Sequence, residues 1–89
     1  MDYKDLKIIK MEIKVLGTGC PKCKALEKAT RDVVAEMQID ANVTKEEDIV
    51  KITGYGIMHT PGLVINEKVV LSGRVPSKDE IKNLITQNN

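Results

Sequence analysis

Two cysteines three positions apart, Cys20 and Cys23, constrain this chain more than any other feature. They lie in residues 17–23, GTGCPKC, between two patterned segments. Residues 11–16 alternate between apolar and charged side chains and predict a strand, whereas residues 24–37 repeat apolar side chains at helical spacing. Pro21 suits the first position of a helix, because its ring fixes φ and its missing N–H is not needed there. We therefore expect both thiols at a strand-to-helix junction.

The start of a helix favours a thiolate. Its first amides have no partner within the helix, and the helix dipole adds partial positive charge there. Cys20 is expected at or just before the first helical residue and exposed, while Cys23 lies one turn in, toward the core. Lys22 and Lys24 add positive charge nearby. One open and one shielded thiol suit an exchange in which the first attacks a disulfide and the second resolves the mixed disulfide.

Other uses of a cysteine pair stay open at this point. Both residues could be ordinary buried cysteines. A closed zinc site usually needs four ligands, and the single histidine, His59, would leave it incomplete without a carboxylate or a second chain. A permanent disulfide across so short a loop would constrain the unfolded chain little. Thiolate pairs also bind Cu(I), so a copper carrier or a cluster-binding module is the alternative to redox chemistry.

The 89 residues are enough for one domain with a modest core. We expect this domain over residues 11–89, with residues 1–10 as an extension or as the start of the first strand. Phe and Trp are absent, so the core must be aliphatic. The net charge of +1 indicates neither a nucleic acid nor a membrane as partner. A charged N-terminus and no apolar run of membrane-spanning length predict a cytoplasmic protein.

The middle of the chain predicts a strand and a second helix. Residues 39–43 alternate as a short strand. Thr44 followed by Glu47 matches a capping box, which predicts a helix start there. The helix is expected to run to about Thr53, to end at Gly54 and to bury three aliphatic side chains: Ile49, Val50 and Ile52.

The last third of the chain predicts a hairpin and a helix. Residues 63–65 and 68–72 are apolar strands joined by the two-residue turn Asn66-Glu67. Ser77 followed by Glu80 matches a second capping box, and the helix over residues 78–87 directs Ile81, Leu84 and Ile85 inward. The order β-α-β-α-β-β-α predicts an α/β fold, a four-stranded mixed sheet with helices on both faces.

This order and three local matches resemble the thioredoxin superfamily, in particular the small, glutaredoxin-sized thioredoxin-like proteins of archaea and bacteria. The matches are GCPKC at residues 19–23, YGIMHTP at residues 55–61, and the hairpin followed by Gly73. They extend over residues 11–87. The chain departs from typical thioredoxins in having no tryptophan before Cys20, and from typical glutaredoxins in having Lys22 where those proteins carry tyrosine.

The resemblance implies a thioredoxin-like fold and a thiol–disulfide oxidoreductase. Cys20 would be the attacking cysteine and Cys23 the resolving one, with Pro21 and Lys22 between them modulating their reactivity. Pro61 would be a cis-proline facing the disulfide, and the Thr60 backbone would hydrogen-bond an extended substrate. Two further residues are expected near this site. Gly73 would allow close approach of the substrate backbone, and His59 is a candidate for tuning Cys20.

The resemblance also implies partners. The substrates would be protein disulfides, and the electron donor would be a flavoprotein resembling thioredoxin reductase or a low-molecular-weight thiol. No cofactor is expected, because the two sulfurs carry the electrons themselves. The protein is expected to act as a monomer.

Overall fold

The computed structural model describes residues 11–88 of the chain. The expected extension at residues 1–10 lies outside the described residues. Strands and helices follow one another in the predicted order: β1 Met11–Leu16, α1 Pro21–Met37, β2 Ala41–Glu46, α2 Ile49–Gly54, β3 Gly62–Ile65, β4 Lys68–Ser72 and α3 Lys78–Gln87.

The four strands form one mixed sheet in the order β2-β1-β3-β4. β1 pairs with β2 in parallel along its whole length, from Met11 opposite Ala41 to Leu16 opposite Glu46. β3 lies antiparallel to β1 on its other side, and β4 lies antiparallel to β3. The sheet therefore confirms the predicted fold class.

The sheet separates two aliphatic cores. On one face, alternate β1 residues such as Ile13 pack with Leu26 and Val33 of α1 and with Ile81 and Ile85 of α3. On the other face lies a smaller cluster of four buried side chains, Leu16, Ile52, Ile57 and Val64. Each such buried side chain contributes roughly 1.5–3 kcal/mol relative to leaving it exposed. The first core packs α1, and with it Cys23, against the sheet, and the second packs α2 and the segment after it against the other face.

The hairpin turn between β3 and β4 lies at Asn66 and Glu67, as predicted, although neither residue is a glycine. Asn66 and Glu67 both adopt positive φ, 51° and 68°, as the favoured two-residue hairpin turn requires. The Asn66 side chain supports the turn, since its Oδ1 accepts a hydrogen bond from the backbone N–H of Glu12 at 2.9 Å.

A polar cluster fastens this turn to the sheet. Lys14 Nζ donates to Tyr55 Oη and to Glu67 Oε2, both at 2.9 Å. Those hydrogen bonds raise the pKa of Lys14, and the bond from Lys14 lowers the pKa of Glu67 from its ordinary 4.5. Because the pKa of Glu67 is lowered in the folded state, its contribution to stability is fully present above its ordinary value of 4.5 and is lost as the pH falls through the lowered value. The raised pKa of Lys14 stabilises the fold below its ordinary value of 10.5, and the part of that contribution that depends on Glu67 is lost in acid when this carboxylate is protonated.

The second strand and second helix correct the sequence prediction. β2 extends to Glu46 because it pairs with all of β1, so Thr44 is a strand residue and caps nothing. Asp48 is the actual N-cap of α2, and its Oδ1 accepts the backbone N–H of Val50 at 2.9 Å. In this shorter helix only Ile52 is buried, whereas Ile49 and Val50 are 57% and 73% exposed. The prediction that all three are buried was wrong for two of them.

The remaining helix ends agree with the sequence. α1 begins at Pro21 and ends at Met37. Ser77 caps α3, and its Oγ accepts the backbone N–H of Glu80 at 3.2 Å. The Glu80 carboxylate turns outward and pairs with Arg74, whose Nη1 donates to Glu80 Oε1 at 2.8 Å.

Candidate functional site

Both cysteines lie at the N-terminus of α1. Cys20 is the N-cap residue, with extended backbone angles of φ −67° and ψ 163°. Their Cα atoms are 5.1 Å apart, and their sulfurs are joined as a disulfide. The predicted position of the pair at the strand-to-helix junction is confirmed, with Pro21 as the first helical residue and Lys22 exposed on the first turn.

The two cysteines are not equivalent. Cys23 is 5% exposed and belongs to the buried face of α1, whereas Cys20 is half-buried and more open than Cys23, though not as exposed as expected. The Cys23 backbone N–H lies 3.2 Å from Cys20 Sγ and donates a hydrogen bond to it. This amide is one of those that a helix leaves without an internal partner, and such donors favour a sulfur anion over a neutral thiol.

Gly17, directly after β1, packs closely against the Cys23 side chain. A Cβ atom at residue 17 would lie 2.7 Å from Cys23 Cβ and even closer to Cys23 Sγ. Only glycine therefore lets the end of β1 approach the buried sulfur this closely. The sequence did not indicate this contact, which depends on how α1 packs on the strand.

Pro61 directly precedes β3, at the end of the sheet where β1 leads into the cysteines. Leu16 with Gly62 is the last pair of the antiparallel ladder, and the next residues at this end are Pro61 on one strand and Gly17, against which Cys23 packs, on the other. The Thr60–Pro61 peptide bond is cis, as the resemblance implied. Pro61 is fully buried, while Thr60 is half-buried just before the start of β3.

Gly73 and His59 lie at the same end of the β3–β4 hairpin as Pro61. The Gly73 N–H donates to the carbonyl of Pro61 at 2.8 Å, and Gly73 has φ +86°. A Cβ on Gly73 would lie 3.5 Å from His59 Cβ, so the exposed histidine stands against the glycine. The structure thus gathers the sequence-predicted residues at one end of the sheet and the adjoining helix start.

The sequence analysis did not identify two carboxylates that lie at the site, those of Glu27 and Glu47. A cavity of about 30 Å³, enough for one water molecule, lies beside Cys23 and is bordered by Glu27, Lys45 and Glu47. Glu27 is held by Arg31 at 3.0 Å, and Glu47 lies 3.6 Å from Lys45. The spacing of Cys23 and Glu27, one helical turn, could have indicated the first. Glu47 was assigned to a helix start, so its position beside the cysteines was not foreseen.

Comparison with known proteins decides the family. The family model named Thioredoxin domain matches residues 11–86. The chain belongs to the thioredoxin family. A thioredoxin of Methanothermobacter thermautotrophicus is 40% identical over 76 residues, which cover 85% of this chain and 99% of that protein. A thioredoxin of Methanocaldococcus jannaschii is 37% identical over 70 residues, covering 79% and 80% respectively.

A solved structure agrees on the fold of this family member. Chloroplastic thioredoxin z superposes with a TM-score of 0.67, covering 88% of this chain and 77% of its own, at 20% sequence identity. Proteins of the thioredoxin family exchange thiols and disulfides, and the Cys20–Cys23 pair provides the sulfurs for this reaction. The chain is therefore a thiol–disulfide oxidoreductase.

Two observations concern the other functions considered above. Within residues 11–88, no three His, Cys, Asp or Glu side chains come together as a metal site, and the comparisons lend the copper-carrier alternative no support. In the same part of the chain, no helix combines the length and apolar character needed to cross a membrane.

Proposed function

We propose that Cys20 is the attacking cysteine and Cys23 the resolving one in the reduction of protein disulfides. The observation that carries this division is the unequal burial of the two sulfurs at one helix start. The Cys20 thiolate attacks one sulfur of the substrate disulfide, forms a mixed disulfide and releases the other substrate sulfur as a thiolate. Cys23, after losing its proton, attacks Cys20 Sγ and releases the second substrate thiolate. Two electrons pass to the substrate, and Cys20–Cys23 is left oxidised.

The proton of Cys23 has a short route to solvent. The water-sized cavity beside this residue is bordered by the carboxylates of Glu27 and Glu47. A water molecule there could receive the proton and pass it to one of these carboxylates before the resolving attack.

The opposite side of the site holds the substrate chain. The backbone of Thr60, next to buried Pro61, hydrogen-bonds an extended substrate segment, and Gly73, whose φ of +86° favours glycine, lets the substrate backbone approach. Pro21 and Lys22 modulate the pair by fixing the helix start and adding positive charge. His59 is exposed beside Gly73 and tunes the thiolate of Cys20 from there.

The wider setting follows from the family. We propose that residues 11–89 act as one monomeric, cytoplasmic domain, with residues 1–10 as an extension or as the start of the first strand. The oxidised pair is reduced again by a flavoprotein resembling thioredoxin reductase or by a low-molecular-weight thiol. The protein works without a cofactor, because the sulfurs are the electron carriers.

Reduction of insulin disulfides, followed by the precipitation of the freed chains, tests this function. The wild-type protein with dithiothreitol should accelerate the reaction, and Cys20→Ser should reduce the rate to that of dithiothreitol alone, because the attacking sulfur is gone. A Cys20→Ser variant with wild-type activity would show that the attack on substrate starts elsewhere.

A further inference from the structure

The two edges of the sheet differ in regularity. β4 forms one edge, and a shift in register between Leu63 and Val64 interrupts its pairing with β3. β2 forms the other edge, and all six of its residues pair with β1 in one continuous register. Irregularities blunt an edge against further pairing, whereas a regular edge strand is a template for another strand. Within residues 11–88, no strand lies on the outer side of β2.

Half of the β2 backbone faces away from β1. At one end of the ladder, the Met11 N–H donates to the carbonyl of Asp40 at 3.0 Å. At the other end, the Gly17 N–H donates to the carbonyl of Glu46, also at 3.0 Å. Every second residue of a strand bonds to the same neighbour, so the even-numbered residues of β2 bond to β1. The backbone N–H and C=O groups of the odd-numbered residues therefore point outward: Ala41, Val43 and Lys45.

We propose that a second copy of this chain pairs with these outward groups. The two β2 strands run antiparallel about a two-fold axis and join the two sheets into one. Such a pairing is self-complementary, because every contact across the axis occurs twice. Only the odd-numbered residues offer outward groups, so these residues must face one another in hydrogen-bonded pairs. The axis therefore passes through a residue position and not between two residues.

Side-chain charge selects which residue lies on the axis. An axis at Thr44 places Asn42 opposite Glu46 of the second copy, where the amide can donate to the carboxylate. Moving the axis one residue toward the C-terminus would place two Lys45 side chains opposite each other. Moving it one residue toward the N-terminus would place Asp40 opposite Glu46. Like charges directly opposite destabilise a sheet, so the expected register is the one centred on Thr44.

This pairing is weak and reversible. Two paired six-residue strands form a small interface, below the roughly 1,000 Å² of a stable dimer. The single domain therefore stays the working unit in dilute solution, and the pair forms at high protein concentration. Each copy keeps its own cysteine pair, because both cysteines lie at the start of α1 and not on β2.

Backbone amide NMR spectra of the full chain, recorded from micromolar to millimolar protein, test the pairing. In dilute solution the amides of the odd-numbered residues of β2 should exchange with solvent faster than those of the even-numbered residues, which bond to β1. At high concentration the odd-numbered amides should shift and become protected, because they alone bond across the axis. The even-numbered amides should change less.

Asn42 provides the variants that test the register. Asn42→Lys should strengthen the association by roughly threefold, because a lysine then faces Glu46 of the second copy. Asn42→Asp should weaken it by a similar factor, because two acids then face each other. Asn42 is exposed, so neither change removes a buried contact. Asn83, exposed on α3, is the matched control, and Asn83→Lys and Asn83→Asp should leave the association unchanged.

Four results would overturn the proposal. The spectra could be independent of protein concentration, or the shifts could fall equally on odd-numbered and even-numbered amides of β2. The Asn42 variants could change the association no more than the Asn83 variants do. Protection of the outward amides in dilute solution would show that another segment of the same chain covers this edge. None of these results bears on the cysteine chemistry, which the reduction of insulin tests separately.

Discussion

At the scale of single residues, the site depends on a backbone that comes unusually close to a sulfur. Gly17 ends β1 directly against the Cys23 side chain, and a methyl group there would overlap with both Cβ and Sγ of that cysteine. Because Cys23 is fixed within α1 and the sheet is fixed by its pairing, neither side can move away freely. The glycine thus sets the depth at which the resolving sulfur is held.

Replacing this glycine should be costly. Gly17→Ala should destabilise the oxidised protein by about 1–3 kcal/mol, the usual cost of forcing extra atoms into a packed core. Gly54 is the control: it ends α2, and no atom lies within 4 Å of where its Cβ would be. Gly54→Ala should be neutral or slightly stabilising. Urea unfolding of both variants measures the difference, and equal midpoints would show that Gly17 is not a close contact.

At the scale of secondary structure, pairing between strands overrides local sequence signals. Thr44 and Glu47 have the spacing of a capping box, but the parallel partner β1 continues to Leu16 and keeps β2 extended to Glu46. The helix then starts at the next residue able to cap it, Asp48. Ile49 and Val50 consequently fall on the outer side of a six-residue helix and are exposed to solvent.

The two candidate caps of α2, Asp48 and Thr44, lead to different predictions for the free energy of unfolding. Asp48→Ala should lower the free energy of unfolding by about 1 kcal/mol, because the backbone N–H of Val50 loses its acceptor. Thr44→Ala removes an exposed strand side chain and should change stability by less than about 0.5 kcal/mol. Thermal or urea unfolding distinguishes the two. A larger loss for Thr44→Ala would restore the cap that the sequence indicated.

At the scale of the whole molecule, the sequence predicts those features that depend on residues close to one another in the chain. The order of elements, the cysteines at a helix start, the hairpin turn and the Ser77 cap all follow from residues within a few positions of one another. The cis form of the Thr60–Pro61 bond could be expected only through the family resemblance, because the sequence alone favours a trans proline at the start of a strand.

What the sequence could not provide arises where distant segments meet. The ends of β1 and β2 and the start of β3 put Leu16, Glu46 and Gly62 side by side. Gly17 and Glu47, which follow the first two, lie beside Cys23. Three features depend on this arrangement: the contact of Gly17 with Cys23, the cavity bordered by Glu47, and an apolar groove between α2 and residues 56–60. None has a signature within one stretch of sequence.

The division of labour between the two sulfurs is tested most directly by trapping the mixed disulfide. Cys23→Ser should accumulate a stable covalent adduct with a peptide disulfide through Cys20, because the resolving sulfur is missing. Cys20→Ser should form little adduct, because Cys23 is buried. Intact-mass spectrometry after mixing each reduced variant with the same peptide at pH 7 measures both. Equal adduct formation, or an adduct mainly on Cys23, would contradict the account.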